Sequence, residues 1–564
     1  MERTSNRMTF QCLPVISKPT FMKFKFYFLA LLFTMVLSCN KSDDTTEPEP
    51  NTEDPKDKEP IAEDENKPVI TVNGFSEIIE TVTEISISID DDSTVETKIL
   101  HNGEELAVSS EKQFDVSINP YPIPVGLNDF IFISKDAKGN EISKTYSVEI
   151  KHLLMIYGYS NQESDNGWKR WLFFNNLEGK ELAVVAPAVG EIKIYTEDIV
   201  LEDKIFYTFV NYQSQTIPNN SYKNLELFTY QVPLGMIRPM ANYNSFEEYA
   251  NTVNVTLSGI PFVNDKPDYY ASGLDYRTRG YSGDDLQTNL TIKHNATSPI
   301  FIRTNQSGGS TPKFDGKKEN FKYVVITPES GNSNITIQAD QLIPAENNLK
   351  LNMPEHDPGT ILLRRRGYKN AEDFAQSKWF DIYQKVSYNE THVIDYLDLP
   401  ILPMLHHYLN LFAYSKNNHY YSTSASDKDL VVNMPDWPTT FQFSDTHITV
   451  NSNNSEIDYY SVNMNKSEKI DIHRNSISWE YIAFGEGGSG KSVPRLALPK
   501  LISDATEEDF YQTTNDLEAN RLIAMDYAKY ETYDEIVEWR IFNKNEPNGA
   551  ENVYRQLSYP IFGN

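Results

Sequence analysis

Apolar and polar residues alternate at every second position in several segments of this chain, among them residues 85–89, 114–118 and 146–150. This period of two puts neighbouring side chains on opposite faces of an extended strand, so that one face packs in a core while the other meets water. The pattern therefore predicts a mainly β protein, built from antiparallel β-sandwich domains in tandem, with a few short helices near the C-terminus.

The first folded domain is predicted over residues 69–151, where short alternating segments follow one another closely. Asn102-Gly103 marks a hairpin turn, because both residue types accept the positive φ that a tight turn needs. Residues 126–140 resemble the last hairpin of bacterial immunoglobulin-like repeats, which implies an immunoglobulin-like sandwich that acts as a spacer. The acidic run 90–92 fits a solvated loop better than a Ca²⁺ site, so we expect no metal ion there.

A segment near the N-terminus has the organisation of an export signal. An uncharged run, Phe26 to Leu37, follows two lysines and is shorter than the roughly 20 residues that a membrane-spanning helix needs. It ends at Val36-Leu37-Ser38-Cys39, which resembles a lipobox, the motif whose cysteine is lipidated. We therefore expect residues 1–38 to be a lipoprotein signal peptide, with Met22 as its true start, and Cys39 to carry a fatty acid such as palmitate. The alternatives are an ordinary signal peptide, or a buried apolar segment with a chance cysteine.

The residues that follow Cys39 indicate where the protein is displayed. Ser42-Asp43-Asp44 resembles the surface-export signal of Bacteroidetes lipoproteins, which implies a lipid anchor in the outer membrane and a body exposed at the cell surface. Residues 39–68 are acidic and proline-rich, with almost no large apolar side chains. Such a segment cannot bury enough surface to fold, so we predict a disordered tether.

The net charge of -29 limits the partners of the protein. Nucleic-acid phosphates and anionic lipid headgroups would repel such a body, so we expect no nucleic-acid partner and a covalent tie to the membrane. The two cysteines are Cys12 and Cys39, so no residue after Cys39 can form a disulfide or act as a thiolate nucleophile.

The long remainder of the chain continues with strand-like alternation and turn clusters. Leu349 to Pro354 recurs in similar form as Leu430 to Pro435, which suggests closing strands of tandem modules, although chance similarity is an equally strong alternative. A helical segment is predicted around residues 503–539, and shorter helices around 244–252 and 369–380. The predicted β-rich modules span residues 152–240, 241–355, 356–436 and 437–564, the last of which includes the helical segment.

Residues Gly485 to Ser492 match the phosphate-loop pattern G-x-x-x-x-G-K-S at every fixed position. That motif binds nucleotides only where a helix begins at its lysine, because the helix N-terminus faces the phosphates. Pro494 and Pro499 follow closely and are incompatible with a regular helix there. We therefore predict a glycine-rich surface loop and no bound nucleotide.

Trp168 and Trp171 are the candidate ligand-binding residues, because they lie in a polar, glycine-containing stretch. Exposed rings on a β-sandwich can stack on the apolar faces of sugars. The alternative is that these rings fill a core or form cross-strand pairs. No catalytic residues are recognised, and the adjacent His406 and His407 would face opposite sides of a strand rather than share a metal ion.

These observations favour a membrane-anchored surface lipoprotein that binds a ligand without catalysis, and a glycan is the leading candidate. A structural or adhesive protein that interacts with other surface proteins is the alternative, and an exported hydrolase on a β scaffold ranks below both. No cofactor is implied, and the fold alone does not choose among these functions.

Overall fold

The computed structural model leaves residues 1–66 outside its description, so the signal peptide, Cys39 and most of the tether stay predictions. Residues 241–250, where a short helix was expected to begin, are also outside it. The described residues are 67–93, 95–160, 168–217, 220–240, 251–258, 268–273, 288–294, 299–305, 321–328, 333–358, 361–375, 378–386, 395–452, 454–470, 473–485, 491–506, 517–527, 530, 532–542 and 554–560.

The described chain is mainly β, as the alternation predicts, and its helices are short. The strands are β1 Val69–Asn73, β2 Ile78–Ile79, β3 Thr83–Asp90, β4 Val95–His101, β5 Glu104–Ser109, β6 Gln113–Ile118, β7 Gly126–Asp136, β8 Glu141–Ile150, β9 His152–Tyr159, β10 Lys169–Asn175, β11 Glu181–Val185, β12 Gly190–Thr196, β13 Lys204–Ile217, β14 Asn220–Pro233, β15 Met236–Arg238, β16 Asn251–Ser258, β17 Asp268–Gly273, β18 Thr288–His294, β19 Ile300–Asn305, β20 Phe321–Ile326, β21 Ser333–Gln338, β22 Ile343–Pro344, β23 Asn347–Asn352, β24 Leu362–Tyr368, β25 Phe380–Val386, β26 Tyr396–Ile401, β27 His407–Lys416, β28 His419–Ser426, β29 Thr439–Phe443, β30 His447–Ser452, β31 Tyr459–Ile470, β32 His473–Gly485, β33 Lys491–Pro494, β34 Glu518–Tyr527 and β35 Tyr554–Pro560. The helices are α1 Ala371–Ala375, α2 Lys500–Ala505 and α3 Tyr533–Phe542, and Ala339–Gln341 forms one turn of 3₁₀ helix.

The first domain is an immunoglobulin-like sandwich, as predicted. Its sheets have the strand orders β1-β3-β6 and β2-β8-β7-β4-β5, and the isoleucines of the alternating segments meet Phe130 and Phe132 between them. Asn102 and Gly103 connect β4 to β5 with φ values of 52° and 84°, which is the positive-φ turn that the sequence indicates. The domain therefore follows closely from local sequence patterns.

The junction between this domain and the next strands is held by buried polar contacts. His152, at the start of β9, has its ring nitrogens 2.7 Å from the carbonyl oxygen of Asp198 and 2.8 Å from that of Ile123. Glu80 accepts hydrogen bonds from Nζ of Lys193 at 2.5 Å and from the hydroxyl of Tyr195 at 2.6 Å. These contacts join the two parts across the junction at residue 151.

A twelve-stranded sheet, here called the large sheet, dominates the rest of the chain. Its strand order is β11-β10-β13-β14-β32-β31-β34-β35-β28-β27-β24-β25. It joins distant segments, since β14 pairs in parallel with β32 and β28 pairs antiparallel with β35. The sheet thus takes strands from both sides of the boundaries expected near 240, 356 and 437, and the modules expected there are not separate in their hydrogen bonding. The reason is that alternation specifies a strand but not its partner.

The described strands between residues 251 and 344 form a separate, smaller pair of sheets, within the module predicted over 241–355. Their strand orders are β18-β16-β21 and β17-β19-β20-β22, around a core that includes Val253, Val255 and Ile302. Phe301 and Tyr323 of this unit pack instead into the large core on one face of the large sheet. The smaller unit is therefore docked on that face.

Two predictions about local structure were only partly right. The segment predicted to be helical over 503–539 is helical near its two ends, where α2 and α3 lie, but it contains strand β34 between them, because pairing with β31 and β35 outweighs the helix propensity of residues such as Glu518 and Ala519. Leu349 to Pro354 contains strand β23, whereas Leu430 to Pro435 has no regular structure. Alternate residues of both segments still pack on the same core, which explains their similar patterns. The short helix predicted over 369–380 is confirmed by α1.

No helix in the part of the chain that the structure describes is both long enough and apolar enough to cross a membrane.

Candidate functional site

The two faces of the large sheet differ in composition around β13, β14 and β32. Leu225, Leu227 and Trp479 point into a large apolar core, whereas the intervening Glu226 and Phe228 are only partly buried. The alternation of β strands sends these two sets of side chains to opposite faces. One face is thus fully packed, and the other remains accessible to solvent over part of its length.

The accessible area exists because the strands of the large sheet are longer than the layer that covers them. β13 and β14 each have 14 residues and β32 has 13. The covering sheet β12-β9-β15 has strands of 7, 8 and 3 residues, and α3 packs beside it on the same core. The long strands therefore extend beyond their cover at one end.

We call this uncovered surface the open face. Six neighbouring strands, β10-β13-β14-β32-β31-β34, contribute to it, which gives a width of about 24 Å at ~4.8 Å per strand. Its side chains are half-buried or exposed, and all of them point away from the large core. They are Arg170, Phe209, Asn211, Asn224, Glu226, Phe228, Asn463, Asn465, Ser476, Ser478, Glu480, Glu518 and Arg521.

Strand register arranges these side chains in two parallel rows that cross the strands. We call the first row the aromatic row after its two phenylalanines. It consists of Phe209, Phe228, Glu480, Asn463 and Arg521, which are in register from strand to strand. The polar row lies two residues further along each strand, about 7 Å away. It consists of Arg170, Asn211, Glu226, Ser478, Asn465 and Glu518.

Further tyrosines close one end of the open face. Tyr207 and Tyr230 lie next to the phenylalanine pair along β13 and β14. Their rings are stacked, with centroids 6.3 Å apart and an angle of 24° between the ring planes. Tyr207 is buried under the covering sheet, and burial holds the pKa of its phenol well above the ordinary value. Phe209 lies at the edge of this buried cluster, so the aromatic row begins where the covering layer ends.

Hydrogen bonds fix several of the polar side chains in place. Arg170 donates from Nε to Oδ1 of Asn211 at 3.1 Å. Asn224 donates from Nδ2 to Oε1 of Glu226 at 2.8 Å and accepts from the hydroxyl of Ser476 at 2.8 Å. The side chains are therefore oriented before any ligand arrives, which lowers the entropic cost of binding.

Other polar groups on the open face have unused hydrogen-bonding capacity. Within the described chain, the side chains of Asn463, Ser478, Glu480 and Arg521 make no hydrogen bond or ion pair. They supply hydroxyl, amide, carboxylate and guanidinium groups on rigid strands. Together with the half-buried phenylalanine rings, they can contact both the apolar faces and the hydroxyl groups of a ligand.

The two tryptophans that the sequence suggested as ligand-binding residues have different environments, because one lies within β10 and the other just before it. Trp171 is only 6% exposed, contacts Tyr212 and belongs to the large core, so its prediction as an exposed platform was wrong. Arg170, its neighbour, lies on the open face. Trp168 stands immediately before β10 and is half-buried. A single position in the strand decides between core and surface, and the sequence did not show where the strand begins.

The residues of the open face could not be identified from the sequence, because β10, β13 and β14 lie more than 200 residues away from β31, β32 and β34. A usable signal was present in β13 and β14, where phenylalanine, asparagine, glutamine and glutamate occupy the positions between buried residues. Such alternation marks a strand with a polar-aromatic face. The parallel pairing with β32 that completes the surface is not visible in the sequence.

The phosphate-loop pattern lacks the structure that nucleotide binding requires. Lys491–Pro494 is strand β33, paired with β30, so no helix begins at Lys491. Lys491 donates instead to the carbonyl oxygen of Gly485. A cavity of about 330 Å³ lies beside these residues, and there Lys204 forms an ion pair with Asp534 at 2.7 Å. The cationic groups of this cavity are thus already engaged within the protein.

The most buried charged group, Arg365, has a structural role. It is fully buried and donates two hydrogen bonds to Asp427 at 2.6 and 2.9 Å, one to Asn410 at 2.6 Å and one to the carbonyl oxygen of Pro400. Burial raises the pKa of Asp427, but the hydrogen bonds and charge of Arg365 outweigh this effect and hold it below the ordinary value. This network ties β24 to β27 and to the end of β28.

No metal centre is found in the described part of the chain. There, no three histidine, cysteine, aspartate or glutamate side chains come close enough together to hold an ion. His406 and His407 are both exposed, and His407 contacts the ring of Phe374. The open face is therefore the best-defined candidate site.

Comparisons with known proteins give only distant similarities. No protein-family model matches the chain, and no curated protein sequence matches it. Fibronectin(III)-like modules of Clostridium thermocellum CbhA align at 12% identity and a TM-score of 0.14, over 30% of this chain and 95% of that chain. SGBP-B of the Bacteroides ovatus mixed-linkage glucan utilization locus, solved with a mixed-linkage heptasaccharide, aligns at 10% identity and a TM-score of 0.14, over 60% of this chain and 93% of that chain.

The immunoglobulin domains 1–5 of Sidekick-1 align at 8% identity and a TM-score of 0.12, over 81% of this chain and 96% of that chain. At such TM-scores, none of the three similarities carries an argument about the function of this protein.

Proposed function

We propose that the protein is a surface lipoprotein that binds a glycan, without catalysis, on the open face of its large sheet. The observation that carries the proposal is the side-by-side arrangement of the aromatic row and the polar row. A sugar ring presents apolar CH groups on its faces and hydroxyl groups at its rim. The rings of Phe209 and Phe228 can pack against the apolar CH groups, while Glu226, Glu480 and Asn463 can form hydrogen bonds with the hydroxyl groups.

The position of these groups on strands supports a preformed binding site rather than one that forms only when the ligand binds. Side chains on a regular sheet are held more precisely than side chains on loops, and the hydrogen bonds of Arg170 and Asn224 add to this order. A long, shallow surface also suits an extended ligand better than a small molecule, which normally binds in a concave pocket.

The anchoring part of the proposal rests on the sequence of the N-terminal segment. The lipid on Cys39 tethers the body to the outer membrane, and the acidic segment up to residue 68 separates the folded domains from the bilayer. The immunoglobulin-like domain follows as a spacer. The polar junction at His152 and Glu80 then holds the covering sheet, which packs on the large sheet, against this spacer.

The proposal is tested by presenting the detergent-solubilised full-length protein to an array of polysaccharides and oligosaccharides. We expect retention on at least one glycan, with no release of reducing ends from that glycan over hours. Release of reducing ends would identify a hydrolase instead. Absence of binding to every glycan would contradict the proposal, and a reproducible protein neighbour in intact-cell crosslinking would then favour the adhesive alternative.

A further inference from the structure

The charge pattern of the open face identifies a class of glycan. Resting on the glycan-binding function proposed above, we infer that the open face selects a neutral, linear glycan whose chain runs across the strands, and that Glu226 and Glu480 exclude acidic polysaccharides. The inference depends on where the carboxylates and guanidinium groups lie within the two rows.

The centre of the open face carries two carboxylates. Glu226 lies on β14 and Glu480 on the adjacent β32, in register with Phe228. The two glutamates are therefore diagonal neighbours, about 7–8 Å apart at their Cα atoms. Repeated uronate or sulfate groups on a bound chain would come close to one or both carboxylates, and like charges brought together at a binding surface are strongly unfavourable.

The guanidinium groups of the open face lie at its two edges and do not neutralise the centre. Arg170, on β10, is two strands from Glu226, and Arg521, on β34, is two strands from Glu480, which is about 10 Å in each case. Arg170 is also engaged by Asn211 and lies 5.8 Å from the centroid of the Phe209 ring. A third carboxylate, Glu518, lies in the polar row on the same strand as Arg521.

Neutral sugars benefit from the same carboxylates. An ionised glutamate only accepts hydrogen bonds, and each sugar hydroxyl has a proton to donate. Hydrogen bonds to ionised acceptors are shorter and stronger than those between neutral groups. Glu226 and Glu480 therefore attract hydroxyl-rich neutral chains while they repel chains that carry negative charge.

The direction of the chain follows from the two rows, which both run across the strands. Along the strands, the face is closed at one end by Tyr207 and Tyr230, where the covering sheet begins. Across the strands, the polar row continues over six strands, about 24 Å, and Tyr159 of the covering sheet lies beside Arg170 at its β10 end. A linear chain that crosses the strands contacts the rings of Phe209 and Phe228 first and the groups of Glu480 and Asn463 next.

The test compares neutral and acidic polysaccharides with the detergent-solubilised full-length protein by affinity electrophoresis. The neutral probes are mixed-linkage β-glucan, xylan, galactomannan and starch, and the acidic probes are homogalacturonan, alginate and chondroitin sulfate. The variant is Glu226→Gln combined with Glu480→Gln. The control, Glu104→Gln combined with Glu141→Gln, changes the net charge equally at exposed positions of the immunoglobulin-like domain.

We expect the wild type to bind at least one neutral probe and to bind every acidic probe about tenfold more weakly or not at all. The double variant loses affinity for the neutral probe, and the difference between its affinities for neutral and acidic probes becomes smaller. The control variant binds all probes as the wild type does. Stronger binding of an acidic probe than of any neutral probe would overturn the selectivity but leave glycan binding intact. Binding to no probe would contradict the proposed function itself.

Discussion

Phe209 and Phe228 are in-register partners on the adjacent antiparallel strands β13 and β14, and both rings lie on the accessible face of the large sheet. Directly opposed residues of this kind have Cβ atoms roughly 5 Å apart, so the two side chains lie next to each other as an apolar strip. Phe228 belongs to none of the apolar cores. Its ring can therefore be substituted without changing the packing of these cores.

Trp171 and Trp168 are expected to differ in their effect on stability. Trp171→Ala removes a buried indole from the large core and should lower the free energy of unfolding by about 3–5 kcal/mol. Trp168→Ala removes a half-buried ring and should cost clearly less. Chemical denaturation followed by circular dichroism measures both values. Equal losses for the two variants would show that the alternation along β10 does not separate core from surface.

The ion pair between Arg365 and Asp427 is expected to be essential to the far end of the large sheet. Asp427→Ala leaves a fully buried guanidinium without its anionic partner and should reduce the free energy of unfolding by about 3–5 kcal/mol. Lys500→Ala serves as a control, because its ion pair with Asp504 is exposed on α2. Denaturation midpoints that shift equally in both variants would contradict the structural role of the network.

The same pair predicts a dependence of stability on pH. Because Arg365 holds the pKa of Asp427 below its ordinary value of 3.8, the stabilisation is complete above that value and is lost as the pH falls through the lower, folded-state pKa. The stability difference between the wild type and Asp427→Asn should thus be constant near neutral pH and shrink in acid. Urea titrations at a series of pH values measure this difference, and a gap that widens in acid would reverse the assigned sign.

Lipidation of Cys39 is expected from the lipobox-like sequence. Cells grown with a clickable palmitate analogue should label the wild-type protein, and Cys39→Ala should take up no label. Cys12→Ala is the matched control and should be labelled as the wild type is, because Cys12 lies upstream of the expected cleavage point. Labelling that persists in Cys39→Ala would rule out this residue as the acylated cysteine.

Local patterns predict the immunoglobulin-like domain well because all of its strands pair within residues 69–150 and two of the pairs are hairpins. The turn at Asn102-Gly103 fixes one hairpin, and β7 pairs with β8 through a short connection. The large sheet could not be predicted in this way. Residues 221–230 pair with residues 473–482, and no local pattern specifies such a distant partner.

The residues of the candidate site could not be predicted from local patterns either. Trp171 was predicted as surface and lies in the core, since a shift of one residue exchanges the two faces of a strand. Glu518 to Tyr527 lies within the segment predicted as helical around residues 503–539, yet tertiary pairing makes it a strand. The open face combines residues from β10, β13, β14, β32, β31 and β34, and only the assembled sheet brings them together.

Isothermal titration of the full-length protein with the neutral glycan it retains most strongly tests the central claim most directly. Phe228→Ala should weaken the affinity about tenfold, because it removes half of the aromatic strip while leaving the cores unchanged. Tyr396→Ala removes another half-buried ring outside the open face, beside Lys350, and should bind as the wild type does. If Phe228→Ala binds the glycan with wild-type affinity, the open face is not the binding site.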